Sequence, residues 1–182
     1  MLVLSNKICV LGDFAVGKTS LIRRFVECKF SEQYLSTVGV KVSRKNIELD
    51  DLDAQATHPL QLLFWDIEGG AMIEKPSAYY FHEAVGAIIV ADITRPQTIQ
   101  HIPNYIDLFS CFNPKGSIVV VLNKVDLIEK EDLEHLSSSI CFAQNNRVLK
   151  VCSTSAKTGE NVEAAFTTLA AHFVSLREAV EG

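Results

Sequence analysis

The sequence predicts an α/β fold, in which a mostly parallel six-stranded sheet carries helices on both faces. Short apolar runs alternate with helix-like segments along the chain, and the runs in the C-terminal half are rich in Val and Ile without alternating polar residues. Such uninterrupted runs are typical of parallel strands that are covered on both faces. No linker or internal repeat divides residues 1–182, so we expect a single domain.

The N-terminal half predicts three strands and one helix. The run KICVLGD (7–13) is a buried strand, and KTSLIRRFVEC (18–28) follows as a helix with its apolar residues on one face. The segments 40–49 and 60–67 are two further strands, joined by a polar stretch whose acidic residues predict a solvated hairpin tip.

The C-terminal half alternates strands and helices. The Val/Ile-rich runs at 86–93, 116–126 and 147–156 predict buried strands, and helices fill the gaps near 73–84, 97–112 and 130–144. The last helix (161–180) repeats apolar residues at the i, i+3, i+4, i+7 spacing of a buried face. The predicted core stripe is Val162, Ala165, Phe166, Leu169, Phe173 and Leu176.

Composition narrows the classes of function. The net charge is −5, which argues against nucleic acid as a partner, because nucleic-acid binders carry a basic face. No apolar run approaches the roughly 20 residues of a membrane span, and the N-terminus lacks the pattern of a secretory signal. The five cysteines contain no C-x-x-C pair, so we expect reduced core residues in a cytoplasmic protein.

The first strand ends in GDFAVGKT, from Gly12 to Thr19, which is the pattern Gly-x-x-x-x-Gly-Lys-Thr. Backbone N–H groups of such a loop converge on phosphate oxygens at a helix N-terminus. Lys18 adds a positive charge for the β and γ phosphates, and the Thr19 hydroxyl can ligate Mg²⁺. A glycine-rich turn with a chance Lys-Thr is the alternative, but a strand before the loop and a helix after it favour nucleotide binding. The predicted nucleotide contacts here are Asp13, Phe14, Ala15, Val16, Gly17, Lys18, Thr19 and Ser20.

The segment NKVD (123–126) indicates which base is bound. A carboxylate at Asp126 can accept from both N1–H and the N2 amino group of guanine, whereas adenine offers no such pair of donors. Asn123 can tie this loop to the phosphate loop, and the Lys124 stem can lie against the base. A P-loop kinase that uses ATP is the other class that the phosphate loop allows, and Asp126 disfavours it.

A second base contact is predicted in TSAKTGEN (154–161), which follows the last strand. The backbone N–H of Ala156 can donate to guanine O6, and its neighbours Ser155 and Lys157 complete the predicted contact.

With these motifs in family order, the chain resembles the Ras superfamily of small GTPases, and most closely the Rab branch. The motifs are GDFAVGKT, STVGV, WDIEG, NKVD and TSAK, and the resemblance covers about residues 5–178. It implies the P-loop small GTPase fold, GTP and GDP as substrate and product, and Mg²⁺ as cofactor. By that match Phe30 packs against guanine, Thr37 completes the Mg²⁺ shell, Asp66 holds the metal through a water, and the Gly69 N–H reaches the γ-phosphate.

The resemblance also implies a switch whose two loops are ordered by the γ-phosphate and Mg²⁺. These loops are expected at about 31–42 and 67–81, and they would bind effectors, exchange factors and activating proteins. In the aromatic triad that usually contacts partners, Trp65 and Tyr79 are carried over, while Val42 replaces the third aromatic residue.

The chain departs from the family where hydrolysis is concerned. Gly70 stands where a water-orienting glutamine is usual, and Glu68 replaces the alanine two residues before it. Phe14 occupies a normally small position and can crowd the site where an activating protein inserts an arginine. We therefore expect slow hydrolysis that depends on Lys18, Thr37 and Gly69. A GTP-binding scaffold with negligible hydrolysis is the alternative.

The ends of the chain carry no lipidation signal. The last cysteine is Cys152, and the second residue is Leu2 in place of the glycine that myristoylation needs. The chain as written therefore has no membrane anchor, and membrane association is expected only if a lipidated tail is missing from it.

Overall fold

The computed structural model describes residues 5–31, 36–50, 57–70, 78–133 and 145–181. It confirms the predicted six-stranded α/β sheet, whose strands lie in the order β2-β3-β1-β4-β5-β6. The β2 and β3 strands are antiparallel, and the other neighbouring pairs are parallel. The strands are β1 Ser5–Leu11, β2 Val40–Asp50, β3 Thr57–Ile67, β4 Ala84–Asp92, β5 Ser117–Asn123 and β6 Val148–Thr154.

The helices follow the strands as the alternation predicts, with two differences. They are α1 Lys18–Glu27, α2 Ala78–Phe81, α3 Pro96–Gln100, α4 Ile102–Phe112 and α5 Val162–Glu181, with a 3₁₀ turn at Val125–Leu127. The helix predicted over 97–112 is divided at His101, because Pro103 in the first turn of the second helix has no N–H with which to continue the hydrogen bonding of the first helix. Of the helix predicted near 73–84, the described residues are helical only at 78–81, and β4 already begins at Ala84. The helix predicted near 130–144 is described only at 130–133, and the tip of the β2–β3 hairpin lies outside the described residues.

Apolar side chains fill both faces of the sheet, so it is covered on each side. On one face α1 and α5 bury Phe25 and Phe166, whose rings stack 4.5 Å apart. On the other face α4 buries Tyr105 and Phe109 against β4 and β5. In the described part of the chain, no helix combines the length and apolarity that crossing a bilayer requires.

Two expectations about buried residues are wrong in part. Leu176 is 49% exposed, because it stands at the rim of an open groove with Phe112 and Val85. Cys9 and Cys152 are buried as expected, but Cys28 and Cys111 are exposed. Cys28 follows the last residue of α1, and Cys111 faces solvent on α4, while Cys141 lies outside the described residues.

Candidate nucleotide-binding site

The loops that follow β1, β3, β5 and β6 meet at one edge of the sheet, because these parallel strands have their carboxyl ends there. They enclose a cavity of about 360 Å³, within the size range of small-molecule sites. It is lined by Phe14, Ala15, Gly17, Lys18, Thr19, Ser20, Arg23, Phe30, Ser31, Thr37, Gly69, Asn123, Lys124, Asp126, Leu127, Ala156 and Lys157. The other residues predicted for the site, Asp13, Val16, Asp66, Ser155 and Gly70, do not contribute to this lining.

The phosphate loop leads into the N-terminus of α1, which no protein side chain caps. The first N–H groups of a helix have no partner within the helix, and no acidic residue lies in the first turn of α1. This end is therefore free to bind an anion. Lys18 is 6% exposed and donates to the carbonyls of Gly12 and Asp13, both at 2.9 Å. Burial lowers the pKa of Lys18 to about 8, and an anion in the cavity would favour its charged form.

Thr19, Thr37 and Asp66 form an oxygen-rich cluster beside Lys18. The hydroxyls of the two threonines lie 2.8 Å apart, and the Thr19 hydroxyl donates to Asp66 Oδ2 at 2.5 Å. Asp66 is 1% exposed, its Oδ1 is buried without a hydrogen-bond partner, and burial raises its pKa. A buried carboxylate oxygen without a donor is costly unless a cation or water reaches it.

This cluster fits a hard divalent cation. Mg²⁺ is usually held by one or two carboxylates, with substrate phosphates and waters completing its shell, and hydroxyl and carboxylate oxygens are the ligands it prefers. Within the described ranges, no group of three or more His, Cys, Asp or Glu side chains is placed to hold a metal. The donor set therefore fits a metal shared with bound phosphates and does not form a cage of protein carboxylates.

Asn123 connects the base loop to the phosphate loop, as the sequence predicts. Its Nδ2 donates to the Val16 carbonyl at 2.9 Å, and its Oδ1 accepts from the Ala156 N–H at 3.1 Å. The Ala156 N–H was predicted to donate to guanine O6, but here Asn123 takes it. A base oxygen would therefore share this donor or use the next N–H along the chain, that of Lys157.

Asp126 lies at the mouth of the cavity, where its side chain is exposed. Its Oδ1 accepts from the Ser155 hydroxyl at 2.6 Å. The buried Ser155 therefore orients a carboxylate that only a ligand would cover.

Lys124 is held by Asp92, a residue that no sequence motif indicates. Its Nζ lies 2.6 Å from Asp92 Oδ2 and also donates to the Ala15 carbonyl at 2.9 Å. Burial opposes the charged form of Asp92, but the bonds from Lys124 and Thr94 outweigh it and hold the pKa of Asp92 below its ordinary value. The amine is thus fixed on the phosphate loop, and its stem borders the cavity.

Arg24 of α1 is a second residue that no motif indicated. Its Nε donates to the Ala156 carbonyl at 2.8 Å, and the same guanidinium binds the Lys157 carbonyl. It also lies 5.9 Å from the centre of the Phe30 ring, within range of a cation–π contact. Arg24 therefore links the loop after β6 to the ring that was predicted to pack on the base.

The segment after Asp66 packs closely against the phosphate loop. A Cβ added to Gly69 would lie 2.6 Å from the Asp13 carbonyl oxygen and from Phe14 backbone atoms, so only glycine fits there. Gly70 has φ +80°, in the left-handed region, with open space around it. Glu68 accepts from the Gly39 N–H at 2.9 Å, and its own N–H donates to the Gly39 carbonyl. This reciprocal contact connects the two predicted switch loops.

The Asp13 side chain turns away from the cavity towards α4. Its two oxygens contact the Tyr105 hydroxyl at 2.8 Å and His101 Nδ1 at 2.7 Å. Arg95 lies nearby and donates to the Phe14 carbonyl at 2.8 Å. No sequence motif links these residues to the phosphate loop, so the sequence alone does not assign them to the site.

An apolar surface lies beside the two predicted switch loops. Val42 pairs with Trp65 across β2 and β3, and the Trp65 and Tyr79 rings are 6.4 Å apart. Val42 and Tyr79 are 51% and 73% exposed, and Phe14 is 54% exposed. Much of the predicted loops, at 32–35 and 71–77, lies outside the described residues.

Comparison with known proteins agrees with this geometry. A model of the Ras family matches residues 7–175. The curated relative "Ras-related protein Rab11A" of Lotus japonicus is 32% identical over 164 residues, which cover 90% of this chain and 69% of that protein. The chain therefore belongs to the Ras family of small GTPases and lies near its Rab branch.

Proposed function

We propose that this chain is a switch that binds GTP or GDP together with Mg²⁺ and hydrolyses GTP slowly, in a Rab-like role in trafficking or signalling. One observation carries the proposal. A single cavity gathers Lys18, Thr37, Asn123 and Asp126 from three separate segments, while Gly70 beside it brings no side chain.

The phosphates would lie on the N–H groups of residues 13–17 and of the first turn of α1, with Lys18 as their charged partner. The Thr19 and Thr37 hydroxyls, and Asp66 through a water, would hold Mg²⁺, which neutralises charge on the phosphates. Asp66 Oδ1, buried and without a partner, supports this assignment.

Guanine would lie between Phe30 and the Lys124 stem, with Asp126 accepting from its N1–H and N2 amino group. The Ser155 hydroxyl donates to Asp126 Oδ1 and so orients the carboxylate. Adenine would present no donor pair to this carboxylate, so the site selects against ATP.

Hydrolysis would be slow because the turn has no side chain to orient water. Gly69 would donate its N–H to the γ-phosphate, and its close packing on Asp13 and Phe14 keeps it at the phosphate loop. Phosphoryl transfer depends on positioning and charge stabilisation. Intrinsic GTP hydrolysis is slow even when the glutamine is present. We therefore expect the hydrolysis rate to be lower by about tenfold or more than that of a glutamine-bearing relative.

A GTP-binding scaffold with negligible hydrolysis is the second candidate. Two observations favour it: Gly70 offers no group to water, and Phe14 projects 54% exposed from the phosphate loop, where it would obstruct an inserted arginine. In both cases partners would bind segments 31–42 and 67–81, and the exposed Val42 and Tyr79 supply apolar contact area.

The test is the nucleotide content of the purified protein, measured by chromatography after denaturation, with competition binding against GTP, GDP and ATP. We expect guanine nucleotide alone, and loss of binding in Lys18→Ala. The matched control is Lys115→Ala, which removes an exposed lysine away from the cavity. Protein that carries no guanine nucleotide and binds none would contradict the proposal.

A further inference from the structure

The Gly69–Gly70 turn rests on Asp13, which two side chains from outside the cavity hold. The Tyr105 hydroxyl donates to Asp13 Oδ1 at 2.8 Å, and His101 Nδ1 lies 2.7 Å from Asp13 Oδ2. Tyr105 is 2% exposed and belongs to the core beneath β4. Both oxygens of the carboxylate are thus occupied, and the residue is fixed from the α4 side.

The same hydroxyl reaches the turn itself. The backbone N–H of Gly70 lies near the Tyr105 oxygen and acts to lower the pKa of this hydroxyl. Burial, and then the Asp13 carboxylate, raise the pKa of Tyr105 far above its ordinary value, so the hydroxyl keeps its proton. It can therefore donate to Asp13 and accept from Gly70 at once.

Two adjacent glycines need such support. Glycine loses more backbone freedom on ordering than any other residue, and Gly70 has no side chain with which to pack. Gly69 approaches the backbone of Asp13 and Phe14 so closely that movement of Asp13 would move the surface against which the turn packs.

We propose that Tyr105 is a positioning residue for GTP hydrolysis, whose hydroxyl ties the Gly69–Gly70 turn to Asp13 and so keeps the Gly69 N–H directed at the terminal phosphate. The inference rests on the function proposed above. Tyr105 does not line the cavity, so it acts through Asp13 and the turn and touches no substrate.

The test is Tyr105→Phe, which removes the hydroxyl and keeps the buried ring. In single-turnover assays we expect the rate of GTP hydrolysis to fall roughly fivefold to tenfold, because the reacting groups are less well oriented. Affinity for GTP should stay within about twofold, since the hydroxyl makes no contact with the cavity. In protein loaded with a non-hydrolysable GTP analogue, amide hydrogen exchange over residues 66–70 should become faster.

Two comparisons make the experiment specific. Asp13→Ala should slow hydrolysis similarly, and the double variant should be no slower than the slower single one, because both changes break one linkage. Thr168→Val is the control: it removes a hydroxyl that bonds only the Ala164 carbonyl within α5, and it should change neither rate nor exchange.

An unchanged rate and unchanged exchange in Tyr105→Phe would overturn the proposal. So would a loss of thermal stability with equal losses in GTP affinity and rate, which marks a purely structural role. If the unmutated protein binds GTP but never hydrolyses it, the proposed function fails. The exchange measurement then decides by itself whether Tyr105 holds the turn.

Discussion

Replacing Gly70 tests whether the missing side chain limits hydrolysis. Gly70 has φ +80°, and an added Cβ would meet no atom within 4 Å, so the obstacle to a side chain is backbone strain and not space. An L residue in the left-handed region costs roughly 1–2 kcal/mol. A tenfold gain in rate from an oriented water corresponds to about 1.4 kcal/mol. Strain of this size offsets much of that gain where it displaces the turn from the phosphate loop, so Gly70→Gln compared with the unmutated protein is a poor test.

The informative comparison is Gly70→Gln against Gly70→Ala. Both variants carry the same backbone strain, and only the glutamine can orient water. We expect Gly70→Ala to be slower than the unmutated protein or equal to it, and Gly70→Gln to exceed Gly70→Ala by about tenfold or more.

The assay is single-turnover hydrolysis of preloaded GTP at saturating Mg²⁺, with GTP affinity measured in parallel. Equal rates for the two variants, with GTP affinity unchanged in both, would refute the reasoning. The loss of glutamine would then not be what limits this protein.

Three further changes test the remaining parts of the site. Asp126→Asn should weaken GTP binding by roughly 1–3 kcal/mol and admit xanthine nucleotides. The control Asp107→Asn changes an exposed aspartate outside the cavity and should do neither. If GTP competes equally well for the Asp126→Asn protein, Asp126 is not part of the base site. EDTA should accelerate release of bound nucleotide, and Thr19→Asn should favour GDP over GTP. If EDTA leaves the rate of nucleotide release unchanged, the metal roles of Thr19 and Asp66 are wrong. Glu68→Ala should break the contact with the Gly39 N–H and leave the hydrolysis rate within about threefold; abolished hydrolysis would make Glu68 the catalytic residue.

The sheet and the phosphate loop were predictable because their signals are local. Uninterrupted Val/Ile runs indicate buried parallel strands wherever they stand, and Gly12 to Thr19 encode a strand, a loop and a helix start in consecutive residues. Asn123 was predicted to reach the phosphate loop, and its 2.9 Å bond to the Val16 carbonyl is present.

The supports of the site were not predictable, because their partners are far apart in sequence. Tyr105 meets Asp13 across 92 positions, and Asp92 meets Lys124 across 32. Such contacts depend on which strands are neighbours and on their register, which no periodicity encodes. Leu176 shows the same limit: helical spacing identifies a face, but not the point at which other elements cease to cover it.

Single-turnover hydrolysis by the unmutated, GTP-loaded protein decides whether this chain is a slow GTPase. We expect measurable Mg²⁺-dependent conversion of GTP to GDP, at a rate about tenfold or more below that of a glutamine-bearing relative under the same conditions. Hydrolysis as fast as in that relative would contradict the role assigned to Gly70, and the absence of any hydrolysis by protein that binds GTP would contradict the proposed switch.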